Sequence, residues 1–241
     1  LNVISRDRFI EDNKRGFKRI MSSRNLDNDV EDEVVDKLVN TVDKAMPKLT
    51  HRYYKWKANQ FGQTRLDWWD RNAPLPHSSE NLIKWSDAKD IILDSFSSFH
   101  PEISNLAELF FKNNWIDASL RKGKASGAFA HPSVPSLHPY ILVNYQGKIR
   151  DVMTLAHELG HGVHQILAGK NGLLMAETPL TLAETASVFG EMLVFRKLLD
   201  ESSIAQKKQL LSGKIEDMLN TVARQIGFHQ FEVKFHEARI K

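Results

Sequence analysis

The run Asp151-Val152-Met153-Thr154-Leu155-Ala156-His157-Glu158-Leu159-Gly160-His161-Gly162-Val163-His164-Gln165-Ile166-Leu167 decides how the chain is read. It contains no proline and lies between Gly147 and Gly169. Val152, Leu155, Leu159, Val163 and Ile166 recur at steps of three and four, the apolar stripe of an α-helix with one buried face. Asp151 falls in the first turn, where a negative charge meets the positive end of the helix dipole. Gly160 and Gly162 each cost about 1 kcal/mol against alanine inside a helix. A helix that keeps both predicts close packing on another backbone at that point.

On such a helix His157 and His161 present both imidazoles on one face, about one turn apart. Two neutral imidazoles so placed can bind one Zn²⁺, with Glu158 beside them as a base for a water molecule. In a chain of this composition His-Glu-x-x-His arises by chance about 0.02 times, so the motif carries information. The competing reading is a buried helix with surface histidines.

A catalytic zinc site usually has three protein ligands and one open position. His164 is on the same face as His157 but about 10 Å along the helix, too far to share a metal held at about 2 Å. A third histidine ten residues after the first is absent, because position 167 is Leu. The remaining candidates are Glu177, Glu184 and Glu191. The stretch from Thr181 to Glu191 reads as a second helix beginning after Pro179. Glu184 and Glu191 are seven apart and share a face, so one can ligate while the other supports a ligand histidine. Thr181 and Glu184 also match a capping box, in which the glutamate serves a backbone N–H at the helix start. Spacing leaves these two roles of Glu184 open. Glu177 precedes the proline, in a loop.

Leu155–His164 resembles the zinc helix of oligoendopeptidase F-like members of the thimet oligopeptidase family of zinc peptidases. So do Arg121-Lys122-Gly123-Lys124-Ala125-Ser126-Gly127-Ala128-Phe129, His138-Pro139-Tyr140-Ile141-Leu142-Val143-Asn144-Tyr145 and Leu182-Ala183-Glu184-Thr185-Ala186-Ser187. Weaker similarity, as at His51-Arg52-Tyr53-Tyr54, extends over most of the chain. The resemblance implies Glu184 as third ligand of one Zn²⁺ per chain, with His157 and His161, and Glu158 as the catalytic residue. It implies a mainly α, zincin-like helical peptidase catalytic domain with a small β-sheet next to the zinc helix. The implied substrates are oligopeptides, admitted by a deep channel that excludes folded proteins. Glu191 is the candidate support for a ligand histidine, and Gly127, Ala128 and Tyr140 are candidate substrate contacts. Members of that family are about twice this long or more, and they place a His and Tyr cluster for the oxyanion after the second zinc helix. Only His229 and His236 follow Glu191 here, and no Tyr follows Tyr145. No oxyanion role transfers, and an internal piece of a longer enzyme is expected.

The rest of the chain bounds the reading. Thirty-three Lys and Arg against 30 Asp and Glu leave a net charge of +3, too balanced for a nucleic-acid partner. The absence of cysteine excludes disulfides and thiolate ligands and fits a reducing, cytoplasmic compartment. No apolar run approaches the roughly 20 residues that span a bilayer. The expected organisation is one catalytic domain over 1–241, with a helical part at 1–120, a β-hairpin or edge strand at 121–149, and zinc-binding helices with a long C-terminal helix at 150–241. Helices are predicted over 29–46, ended by Pro47, and over 48–61. A loop follows over 62–83, containing Ser78 and Ser79, with Trp68 and Trp69 packed on the body. Ser86 should cap a helix over 87–99, and Pro101 should open one over 101–117. Residues 203–240 read as one helix with Leu211, Ile215, Met218, Val222 and Ile226 inward. Tyr140–Tyr145 reads as a strand, with a partner near 126–130. As an edge strand it could pair with an extended peptide.

Two other functions fit these residues. A zinc carboxypeptidase of related helical fold would require a free peptide C-terminus. A non-catalytic peptide-binding module would carry an incomplete site.

Overall fold

The computed structural model describes residues 1–76 and 82–240, so Ser78 and Ser79 of the predicted loop lie outside the described residues. The chain divides into two compact units, Leu1–Ser78 with Ile204–Lys241, and Ser79–Ser203.

The first unit contains α1 (Asn2–Lys14), α2 (Ser22–Asp27), α3 (Asp32–Gln60), a short 3-10 turn (Trp68–Asn72) and, from the end of the chain, α8 (Ile204–Ile240). Pro47 does not end the predicted helix; α3 runs through it. The proline removes one backbone bond, to the carbonyl of Asp43. Both residues are exposed, so water can take the freed carbonyl. α8 has the expected span, but its predicted inward stripe is open. Leu211, Ile215, Met218 and Val222 are between 43% and 59% exposed. The face that meets α3 is polar instead. Tyr53 donates its hydroxyl to Glu216 (2.7 Å), and the buried Lys57 ammonium donates to Glu216 (2.6 Å) and to the Arg71 carbonyl (2.7 Å). A buried ammonium demands such partners, and that requirement outranks the apolar stripe in choosing the contact face. Trp68 and Trp69 are 82% and 64% exposed rather than packed on the body. The tight turn carries them outward, and their rings meet edge to face at 5.8 Å.

The second unit carries the predicted zinc helix. α4 (Trp85–Phe99) and α5 (Pro101–Lys112) precede a three-stranded sheet, followed by α6 (Ile149–Gly169) and α7 (Leu180–Glu201). Ser86 is not the cap of α4; Lys84 is, and the Ser86 hydroxyl instead meets Asp87 at 2.9 Å. Pro101 opens α5 as predicted, but α5 stops at Lys112 rather than 117. Asn114 adopts φ +56, and Trp115 N–H returns to the Phe110 carbonyl (3.0 Å), the closing bond of a left-handed helix terminus. That turn frees Ile116–Asp117 to form β1.

β1 pairs in parallel with β3 (Tyr140–Leu142), and β2 (Phe129–His131) pairs antiparallel with β3, with Ala130 opposite Ile141. The order β1-β3-β2 puts the predicted strand at the centre, so β1 and β2 are the edges and Tyr140–Leu142 is not. Side chains hold the loop entering β2. Lys124, 2% exposed along its side chain, donates to the carbonyls of Asp117, Ser119 and Val143 at 2.7–3.0 Å. Asn144 donates to the carbonyls of Ala125 and Gly127, both at 2.9 Å.

The core joins Ile92 and Phe96 of α4, Phe110 of α5, Ile141 of β3, and Val152, Leu155 and Leu159 of α6. Burying each such side chain contributes about 1.5–3 kcal/mol, which fixes the predicted face of α6 inward. Among the described residues no helix is long and apolar enough to cross a membrane.

Candidate metal centre

α6 starts where its sequence directs. Asp151 accepts backbone N–H bonds from Gln146 (2.8 Å) and Lys148 (3.0 Å), satisfying donors that a helix start leaves open. Downstream, α6 and α7 meet through glycine. A Cβ on Gly160 would stand 2.7 Å from the Ala186 carbonyl oxygen and 2.8 Å from Ser187 Cα, and one on Gly190 would stand 3.0 Å from the Ala156 oxygen. The predicted backbone contact is therefore real at Gly160. At Gly162 the neighbour is a side chain, with the Phe110 ring 2.5 Å from a Cβ built there. The close approach brings one face of α7 against the histidine face of α6.

Three donor atoms converge there. Glu184 Oε2 lies 3.2 Å from His157 Nε2 and 3.5 Å from His161 Nε2. One ligand atom from each of these residues lies within 4.8 Å of the others. Tetrahedral donors at about 2.0–2.2 Å from a divalent metal stand about 3.4 Å apart, so the spacings suit one ion. The helix start excludes the capping role of Glu184. Pro179 is the N-cap and α7 begins at Leu180, so Thr181 lies inside the helix and Glu184 is past its capping position. Ser187, fully buried, donates its hydroxyl to Glu184 Oε2 at 2.8 Å and steadies that oxygen. The i+3 spacing of Ser187 from Glu184 is the one sequence signal for this contact. On the other side of the His157 ring, Nδ1 lies 3.4 Å from Glu191 Oε2. This leaves Nε2 turned towards Glu184 and His161, as expected of a metal-ligating histidine braced by a carboxylate.

Electrostatics fit the same picture. Burial lowers His157, but its contact with Glu191 and the charges of Glu158, Glu184 and Glu191 outweigh burial, and the imidazole sits above its ordinary range. The field that favours a proton there also favours a metal cation. Burial holds His161 below its ordinary range; Glu184 opposes this, and His157 and His164 add to it. Its neutral form is the one that ligates. Burial pushes Glu158 up to about 7, with His157 opposing and Glu184 reinforcing. That value suits a group that must both take and return a proton near neutral pH.

A cleft of about 790 Å³ opens over these residues, lined by His157, Glu158, His161 and Glu184 on one side and by Ala128, Phe129 and Ala130 on the other. His164 and Glu177 line it too but do not belong to the three-donor group. Of the predicted substrate contacts, Ala128 lines the cleft; Gly127 and Tyr140 are not among its described lining residues. His229 and His236 lie on α8, in the other unit.

The chain is 28% identical over 236 residues to oligopeptidase PepF of Bacillus subtilis, covering 97% of this chain and 35% of that protein. It is 32% identical over 241 residues to an oligoendopeptidase F homolog of Borreliella burgdorferi, covering 98% of this chain and 40% of that protein. The chain thus spans well under half the length of these relatives. A crystal structure from Chlamydophila abortus superposes with a TM-score of 0.79 at 28% identity, over 98% of this chain and 40% of that one. PZ peptidase A shares the fold, with a TM-score of 0.75 at 18% identity over 92% of this chain and 40% of that one. The family model described as Peptidase family M3 matches residues 2–241, and the chain belongs to that family.

Proposed function

We propose that the chain carries the centre of a zinc metalloendopeptidase that hydrolyses short oligopeptides. The observation that carries this reading is the convergence of His157, His161 and Glu184 beside Glu158 in one cleft. Two imidazoles and a carboxylate are a donor set that suits zinc. When bound, zinc supplies Lewis acidity, which polarises a carbonyl and lowers the pKa of water towards about 7. Glu158 takes a proton from the attacking water and delivers it to the departing amine. Glu191 holds the His157 ring, and the outer edge of β2 aligns an extended peptide through backbone hydrogen bonds. The cysteine-free composition suits a cytoplasmic setting.

The test is cleavage of an internally quenched oligopeptide blocked at its C-terminus. Cleavage that a chelator abolishes and zinc restores is expected. Hydrolysis that requires a free C-terminus would assign a carboxypeptidase instead. Metal affinity separates the candidate ligands. Glu184→Ala is expected to lower zinc affinity far more than Glu177→Ala, and Glu191→Gln to lower it by about 10- to 100-fold. Titration calorimetry reads all three; the reverse order for the first two would move the third ligand into the loop before α7.

A further inference from the structure

The open edge of β2 has Ala130 at its centre. In β3, Ile141 N–H donates to the Trp115 carbonyl at 2.9 Å, so its backbone groups face β1. Ala130 is the antiparallel partner of Ile141. The two therefore form a non-hydrogen-bonded pair, and the N–H and C=O of Ala130 point away from β3, to the open edge. The side chain that meets this carbonyl is Gln165, with Nε2 at 3.4 Å. Gln165 stands on α6 four residues after His161, on the same face, and lines the same cleft. Its Oε1 is buried and has no hydrogen-bond partner among the described residues. Turning the amide over offers no remedy, because Oε1 would then face the Ala130 carbonyl, acceptor against acceptor. Buried acceptors without partners are rare and costly. Here one arises beside a strand edge whose own carbonyl holds only a long bond.

We infer that Gln165 is a substrate-binding residue, a displaceable cap on the open edge of β2. A peptide entering the cleft places a backbone N–H on the Ala130 carbonyl and releases the carboxamide. The carboxamide turns about its terminal torsion into the cleft, where Oε1 accepts a further backbone N–H of the peptide. The recognised chemistry is extended peptide backbone, independent of side chain. This assignment rests on the reading of the cleft as a peptide site.

The test uses Glu158→Gln protein, loaded with zinc, to bind a fluorescent oligopeptide with turnover strongly slowed. Its affinity is compared with that of Glu158→Gln/Gln165→Leu, using the all-amide peptide and analogues with a single ester at each non-scissile position. The double variant is expected to bind the all-amide peptide about tenfold more weakly. One ester analogue should lose about tenfold against Glu158→Gln and nothing further against the double variant. Gln165→Glu, which keeps an acceptor oxygen, should restore the ester dependence; a packing defect would weaken all peptides alike. Equal or tighter binding by the double variant, or the same ester penalty in both proteins, overturns the assignment. Absence of peptide binding to Glu158→Gln overturns it together with the peptide-site reading. A peptide bound with the expected pattern but never cleaved by the unsubstituted protein defeats only the peptidase reading.

Discussion

Replacing Glu158 with glutamine is expected to slow peptide hydrolysis by about 10²- to 10⁴-fold while bound zinc stays at one per chain. Glutamine keeps the size and hydrogen-bonding outline of the side chain but cannot accept the proton. Glu158 is buried, at 6% exposure, so bulk water cannot readily replace it as base. It follows His157 directly, which turns it about 100° around α6 from that histidine and keeps it out of the three-donor group. Metal analysis by mass spectrometry and steady-state kinetics on one preparation separate the two effects. Parallel loss of zinc and activity would make Glu158 a ligand. Turnover that survives loss of zinc would remove the metal from the mechanism.

Gly160→Ala is expected to lower stability by about 1–3 kcal/mol and to weaken zinc binding at the same time. Two effects oppose each other. Alanine gains about 1 kcal/mol of helix propensity, but its methyl would lie 2.7 Å from the Ala186 carbonyl oxygen. That neighbour is backbone inside α7 and moves only if the helix moves. Displacing α7 there displaces Glu184, two residues away from Ala186, so the three-donor group loses one of its donor positions. Gly213→Ala is the control. It is also helical, but nothing lies within 4 Å of its added carbon, so a gain of about 0.4–1 kcal/mol is expected. Thermal unfolding with and without zinc reads both variants. A Gly160→Ala protein as stable as the Gly213→Ala control would show that the helices can part without cost.

The parts of the fold legible in the sequence were those set by local pattern and burial together. The stripe from Val152 to Val163 located α6 because periodicity, Asp151 and the flanking glycines agree. The two histidines followed from their spacing. Elsewhere a local rule met a neighbour it could not see. Pro47 has the chemistry of a helix breaker, yet an exposed position lets water replace the missing bond. Asn114 ends α5 through a left-handed turn that asparagine permits but does not announce. The stripe on α8 is truly periodic, yet Lys57 and Glu216 select another face. The capping role of Glu184 fell away only once Pro179 fixed the first turn of α7. Lys124, Asn144 and Gln165 act through carbonyls of Val143, Ala125, Gly127 and Ala130, 17 to 35 residues away, and no spacing rule reaches them.

The three-donor group draws on two helices, so a metal bound there would couple its occupancy to helix packing. An ion held by His157 and His161 of α6 and by Glu184 of α7 would cross-link segments that the unfolded chain leaves apart. Each tenfold rise in free metal above its dissociation constant then adds about 1.4 kcal/mol to the folded state. Resistance to heat or proteolysis would therefore track the free metal concentration around the protein. Starvation for the ion would remove chemistry and shorten the lifetime of the fold together.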